Sequence, residues 1–380
     1  MKTMAEEKIW KPLELVKVTT DYLGQKQIAN PRLDAEILLC EIMGLKRRVD
    51  LYAGFEREIS GKELASYREL IRRRAAREPV SRILGRRDFM GLTFRVTPDV
   101  LSPRPETEFL VEAALEAIRP RKPDQEPVDE EVQNEPTVPT AESDSHSDLM
   151  PEELERLLDS YAEDVDDADS LDLETPPPKP IPSSRPSAAG SISGSAAKKN
   201  VLPITSELAP KVLDLGTGSG CIAVSIAAHL PAARVTAVDA SPRALAVAKK
   251  NAADNGVADK IDFRQGDWFA GCRRGEAYDV VLSNPPYLVE GDPEIWPEVS
   301  GYDPAAALYG GRDGLDCYRR IVPDAPEWVV PGGLILLEVG AGQSGRVADL
   351  LRSRGFEQIQ IVKDYGGVER VVRGRAPGAF

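Results

Sequence analysis

The run VVLSNPPYL, residues 280–288, carries an apolar stretch straight into Asn284, Pro285, Pro286 and Tyr287. Proline has no N–H, so paired prolines end a strand and leave carbonyl oxygens that no neighbouring amide claims. The Asn284 side-chain oxygen and the Pro285 carbonyl are then two fixed acceptors. Such a pair can hold both N–H groups of a carboxamide and favour the charge that develops on its nitrogen as it attacks a sulfonium methyl. Tyr287 would pack on the flat amide. No strong base is demanded, because an amide nitrogen becomes acidic once alkylated. The chain agrees, with only two histidines, His146 in a low-complexity stretch and His229 near a helix end. The plainer alternative is a proline-rich strand stop.

A second run, DLGTGSG, spans Asp214, Leu215, Gly216, Thr217, Gly218, Ser219 and Gly220. Its glycines let the chain turn tightly between strand and helix and bring backbone amides against a ligand at a helix N-terminus. Asp239 ends the next strand, where a pair of ribose hydroxyls is held in dinucleotide folds. The glycines also suit a nicotinamide dinucleotide or a structural turn, but the x-Gly-x-Gly-x-Gly spacing leans toward S-adenosyl-L-methionine. A third strand end, GDWF, offers Asp267 and the face of Trp268 for an adenine, with a core tryptophan as the alternative.

The elements that must position these groups alternate strand and helix after residue 209. KVLDLG, ARVTAVD, IDFRQ, YDVVLS and GGLILLEVG read as strands separated by helices, and FEQIQIV and RVV close the chain as two more. That rhythm predicts a parallel sheet covered on both faces, with ligands at the carboxyl ends of its strands. The first part of the chain reads helical. RLDAEILLCEIMG places Leu33, Ile37, Leu38 and Ile42 on one stripe and stops at Gly44, and GKELASYRELIRRRAAREP repeats the pattern to near Pro79. RRDFMGLTFRV reads as a hairpin about Gly91. LSPRPETEFLVEAALEAI follows as a proline-stiffened turn and a helix with Phe109, Leu110, Ala113, Ala114 and Ala117 along one side, Thr107 and Glu108 suiting its N-terminus.

Composition bounds the rest. Of 48 basic and 62 acidic residues, 7 and 20 lie in residues 121–200, so that segment carries −13 of the net −14. Rich in Pro, Ser, Asp and Glu, it reads as a disordered insertion, within which Leu154, Leu157, Leu158 and Tyr161 form a transient helical pattern. The expected domains are 1–84, a helical substrate-recognition domain; 85–120, a hairpin and connecting helix; 121–200, the insertion; and 201–380, the catalytic domain. Cys40, Cys221, Cys272 and Cys317 have no close pair, which argues against zinc and disulfides. No apolar run reaches the length of a membrane span, and the N-terminus lacks a secretory core, so a cytoplasmic protein is expected.

SNPPYL together with DLGTGSG, GDWF, LSPRPETE, ALYGGRDGLDCYRRI and REPVSRILGRRDFMGLTF resembles the release-factor glutamine methyltransferase family, PrmC/HemK. The resemblance spans nearly the whole chain outside the insertion. It implies a class I methyltransferase with a seven-stranded, mostly parallel Rossmann-like sheet and an N-terminal helical domain that recognises class 1 peptide chain release factors. It further implies methylation of N5 of the glutamine in a Gly-Gly-Gln loop, with S-adenosyl-L-methionine as donor and a role in translation termination. Carried over, Asp214, Gly216 to Gly220, Asp239, Asp267, Trp268 and Asn284 would bind the cofactor, and Asn284 to Tyr287 the glutamine. Ser102 stands where the family commonly has Ile, and Asp303 replaces a more usual Glu. The expected enzyme is a monomer with no metal, no membrane and no direct nucleic-acid substrate. Two rivals stand beside it. Asn-Pro-Pro-Tyr also serves enzymes that methylate the exocyclic amine of adenine, although the chain outside the insertion nets only −1. The other rival is a non-catalytic cofactor-binding docking protein. The long stretch from Leu288 to Asp313 is expected to close over the incoming peptide.

Overall fold

The computed structural model describes residues 9–118, 209–292 and 297–378. The acidic segment, with the helical pattern at Leu154 to Tyr161 and His146, therefore lies outside the described residues. Two compact units divide at Ile83/Leu84.

The first unit is helical: α1 (Pro12–Gln25), α2 (Pro31–Met43), α3 (Val49–Ala53) and α4 (Gly61–Ala75), with the short α5 (Val80–Leu84) at its border. Pro at the first helical position starts both α1 and α2, where the missing N–H costs nothing. Gly44, at φ 66°, ends α2 in the left-handed conformation. Ser60 and Glu63 form a reciprocal capping box at the start of α4. The α2 stripe differs from the sequence reading. Leu38 is buried, but Leu33 is 38% exposed and the buried face runs through Ala35, Leu38, Leu39 and Cys40. The helix is packed by α1 and α4 together, and two neighbours turn its inner face away from Leu33. Helix α4 stops at Ala75, before Pro79.

The second unit opens with the hairpin of β1 (Arg86–Phe89) and β2 (Leu92–Arg95). Its turn residues Met90 and Gly91 both have positive φ, the two-residue geometry that matches strand twist. Helix α6 (Pro105–Ile118) follows. Its start lies earlier than the Thr107 signal suggests, because Pro105 takes the first helical position, so Thr107 and Glu108 fall in the first turn with side chains free for other partners. Glu108 uses its carboxylate to accept the Met90 N–H of the hairpin at 2.7 Å.

Seven strands make one sheet: β3 (Lys211–Leu215), β4 (Arg234–Asp239), β5 (Ile261–Gln265), β6 (Tyr278–Ser283), β7 (Val329–Glu338), β8 (Glu357–Lys363) and β9 (Glu369–Arg375). The order is β5-β4-β3-β6-β7-β9-β8, parallel throughout except that β9 runs antiparallel to both neighbours. Each buried strand feeds two cores. Val212, Val280, Leu282, Leu334, Leu336 and Val371 face α6 and the helix Cys221–His229. Leu213, Val281, Ile335, Leu337 and Val372 face the helices Asp316–Asp324 and Ser344–Ser353. The period of two in side-chain direction explains why these strands read as continuous apolar runs. From β3 the chain builds outward on one side through β4 and β5, then returns to the other side with β6. The carboxyl ends of β3 and β6 thus flank the point where strand order reverses, the crevice in which open α/β sheets hold ligands.

Candidate active site

The glycine loop leaves β3 at this crevice. Gly216, Gly218 and Gly220 all adopt positive φ, at 71°, 56° and 81°, which side chains resist. A Cβ on Gly220 would meet Ala248 at 3.0 Å, so the helix Cys221–His229 approaches the helix Pro242–Asp254 as closely as glycine permits. Below the loop, Asp214 is fully buried. Its Oδ2 accepts the Thr217 hydroxyl at 2.6 Å and the Ala223 N–H at 3.2 Å, tying the loop to the first turn of the following helix. Its Oδ1 has no partner among the described residues, and burial pushes the carboxyl up to about 7. Ser219 is buried rather than presented, and its carbonyl accepts Asn251 Nδ2 at 2.8 Å. Asn251 also accepts the Arg95 N–H at 2.8 Å, so the hairpin and the loop share one buried amide.

Asp239 ends β4 beside the loop. Its two oxygens accept the N–H groups of Gly218 and Ser241, each at 2.8 Å. A carboxylate has about four lone-pair positions, so two stay open for hydroxyls. Trp268 lies over the same loop, its ring 3.4 Å from where a Gly216 Cβ would stand, with φ 50° and a buried indole N–H that no described group accepts. A tryptophan in the left-handed region is a strained position. Asp267 forms an ion pair with Arg320 in which both side chains are more than half exposed.

Strand β6 brings the second motif alongside. Ser283 pairs with Leu215 in register and donates its hydroxyl to the Leu215 carbonyl at 2.8 Å, so Asn284 emerges next to Gly216. Asn284 donates Nδ2 to the Thr107 hydroxyl of α6 at 3.0 Å, and among the described residues nothing donates to its Oδ1 or to the Pro285 carbonyl. Tyr287 turns inward: its ring packs on the second core and its hydroxyl reaches Glu338 Oε1 at 3.4 Å. Burial, and the Glu338 charge, raise the phenol. Its carbonyl is held by Gln343 Nε2 at 2.9 Å. Beyond it the chain folds back, with Leu288 bridging Tyr309 and with Asp303 accepting the Ser102 N–H at 3.4 Å and pairing with Arg104 at 2.5 Å. Ser102 and Asp303, the two positions expected to depart from the family pattern, therefore meet.

Of the groups singled out in the sequence, the glycine loop, Asp214, Asp239, Trp268 and Asn284 gather at one crevice; the Ser219 carbonyl, Asp267 and the Tyr287 ring are committed to protein contacts. Thr107, Asn251, Glu338 and Gln343 escaped the sequence reading because each acts through a partner far along the chain. The one available signal was an acidic residue ending the apolar run LILLE. Gly218, where a Cβ would meet only the Gly216 carbonyl oxygen at 3.9 Å, and the orphaned Trp268 N–H leave the crevice suited to a nucleoside-bearing cofactor.

Comparisons with known proteins bear on this geometry. Residues 14–85 match the family described as PrmC N-terminal domain, and residues 194–297 the methyltransferase small domain. The release factor glutamine methyltransferase of Geobacter sulfurreducens is 34% identical over 368 residues, covering 97% of this chain and 97% of that protein. The protein of the same name from Chlorobaculum tepidum is 32% identical over 371 residues, covering 97% and 98%.

Proposed function

Because the chain belongs to the release factor glutamine methyltransferase family, we propose that it methylates the N5 amide nitrogen of the glutamine in the Gly-Gly-Gln motif of class 1 peptide chain release factors. It is a methyltransferase dependent on S-adenosyl-L-methionine, which supplies an electrophilic methyl group on a sulfonium and leaves as S-adenosyl-L-homocysteine. Asp239 would take the ribose hydroxyls on its open lone pairs. Gly216 and Gly218 would let the backbone approach, and Trp268 would face the adenine.

The observation that carries the reading is the commitment of Asn284 Nδ2 to Thr107, which leaves Oδ1 as an acceptor beside the unclaimed Pro285 carbonyl. Two acceptors at fixed spacing take the two N–H groups of a carboxamide. They align its nitrogen and stabilise the positive charge that grows there, an electrostatic contribution of about 2–4 kcal/mol per well-placed group. Water or solvent-exposed groups then remove the acidified proton. Pro286 and Tyr287 stiffen the turn that presents these oxygens. The acidic insertion and the monomeric, cytoplasmic state expected from the sequence remain part of this proposal.

Mass spectrometry of a release factor incubated with the enzyme and cofactor tests it. One added methyl on the Gly-Gly-Gln glutamine is expected with the wild type. For Asn284→Ala, turnover should fall by roughly 100-fold or more. A methyl elsewhere, or equal turnover by the variant, overturns the assignment.

A further inference from the structure

Tyr287 closes the turn that presents the two acceptor oxygens, and its carbonyl ties that turn to the end of β7. Gln343, 6% exposed and placed just before the helix Ser344–Ser353, donates Nε2 to this carbonyl at 2.9 Å. Its Oε1 accepts the Gly340 N–H at 3.1 Å, and its own N–H returns to the Gly340 carbonyl at 3.1 Å. The side chain thus closes a ring with the backbone that follows β7. The Gln343 carbonyl accepts the Val347 N–H at 3.1 Å, which commits the main chain to the helix.

A carboxamide donates at one end and accepts at the other. An amide N–H meets only its oxygen and a carbonyl only its nitrogen, so Gly340 and Tyr287 demand the same orientation of Gln343. Two glycines make room for it. A Cβ on Gly314, at φ 72°, would collide with Gln343 Nε2 and the Tyr287 oxygen together. One on Gly340 would stand 3.1 Å from Gln343 Oε1 and 3.0 Å from Tyr287 Cδ2.

The turn depends on such ties, because Pro285 and Pro286 supply no N–H to anchor it. Ser283 fixes its entry through the Leu215 carbonyl, and Thr107 holds the Asn284 side chain. At the exit, the Tyr287 ring is seated in the second core, while Leu288 exchanges main-chain bonds with Leu308 and Gly310 of the long stretch that follows. Gln343 refers that exit to the sheet.

We propose that Gln343 is a positioning residue for methyl transfer, which, by holding the Tyr287 carbonyl, sets where Asn284 Oδ1 and the Pro285 carbonyl stand. The role rests on the reading of those two oxygens as acceptors for the substrate amide. Both ends of the Gln343 side chain are taken by backbone groups, so it acts through the turn.

The test measures kcat and KM for methyl transfer to a release factor, per cofactor site titrated by calorimetry, together with urea midpoints. Gln343→Met keeps the length of the side chain and removes both bonds. Gly314→Ala leaves Gln343 in place and drives a methyl into its bond with Tyr287. Val347→Ala, at a fully buried position on the same helix, loosens the packing without touching that bond. Gln343→Met and Gly314→Ala should lose roughly 10- to 100-fold in kcat, with cofactor affinity within about threefold. Val347→Ala should lower the urea midpoint and keep kcat within about twofold. In an Asn284→Ala background, Gln343→Met should cost no more than about threefold, since the groups act as a unit. Near-wild-type kcat in Gln343→Met, an equal loss of kcat in Val347→Ala, or an undiminished loss in the Asn284→Ala background overturns the proposal. Should Gln343→Met fail to fold, Gly314→Ala, alone and combined with Asn284→Ala, decides in its place. Absence of methyl transfer by the wild type would instead strike the proposed function, so the two failures are distinct.

Discussion

Replacing Asp214 with Asn should change how stability depends on pH, by an amount the structure sets. The carboxyl is 0% exposed, keeps one oxygen without a partner, and is pushed from 3.8 to about 7 by burial, with the Asp239 charge adding to the rise. Between about pH 4 and 7 the folded chain therefore holds a proton that the unfolded chain has released. Stability then falls as pH rises across that window, and the full cost is present above it. A shift of about 3 units corresponds to about 4 kcal/mol in total, of which roughly 2.5 kcal/mol is lost between pH 5 and 8. Glu338, raised to about 7, acts with the same sign and adds to the fall in the wild type. Asp239 and Glu112, both raised chiefly by burial, act with the same sign. The depressed carboxyl of Glu276, held near 2 first by Arg264, loses its contribution only in stronger acid. Urea unfolding of the cofactor-free protein at several pH values, followed by tryptophan fluorescence, measures the effect. The wild type should lose about 2–3 kcal/mol more than Asp214→Asn on going from pH 5 to 8, with unchanged m-values. Parallel curves for the two proteins would refute the reasoning, since they would mean that Asp214 ionises as freely in the fold as in the open chain.

Other expectations follow from single contacts. Gly220→Ala forces a side chain onto φ 81° and against Ala248, so about 1–3 kcal/mol of stability should be lost in thermal or urea unfolding, and cofactor binding should weaken. Asn251→Ala leaves the Ser219 carbonyl and the Arg95 N–H buried without partners; a loss of about 2–4 kcal/mol is expected, visible as a lower urea midpoint. Asp239→Asn replaces an acceptor that serves two backbone N–H groups with one oxygen and a donor. Calorimetry should find cofactor affinity reduced about 10-fold or more, with a smaller change in kcat at saturating cofactor.

Much of the fold was legible because the sheet writes itself as apolar runs between turn residues. Val280–Val281–Leu282 and Leu334 to Leu337 are apolar at every position since they feed cores on both faces. The hairpin showed at Met90–Gly91 and the end of α2 at Gly44, where backbone conformation narrows the choice of residue. Less legible was the facing of α2, because an amphipathic stripe records that a helix is packed but not how many neighbours share it. The crevice was half visible. Glycines and a proline stop announce themselves locally, whereas Thr107 looks like any helix-start residue until Asn284, 177 positions away, is brought against it. Asp267, expected at the cofactor, also forms an exposed ion pair with Arg320, a pairing no local pattern encodes.

The sheet is completed from both sides of the segment between residues 118 and 209. Helix α6 precedes that segment, yet its apolar face, with Leu110, Val111 and Ala114, lies against β6, β7 and β9, the last of which ends five residues before the chain does. During synthesis on the ribosome, α6 must therefore wait with its greasy side only partly covered until some 250 further residues have emerged. A nascent chain stalled or truncated before β9 would leave that side open to wrong partners. This unit should accordingly depend on chaperones more than its finished stability would suggest.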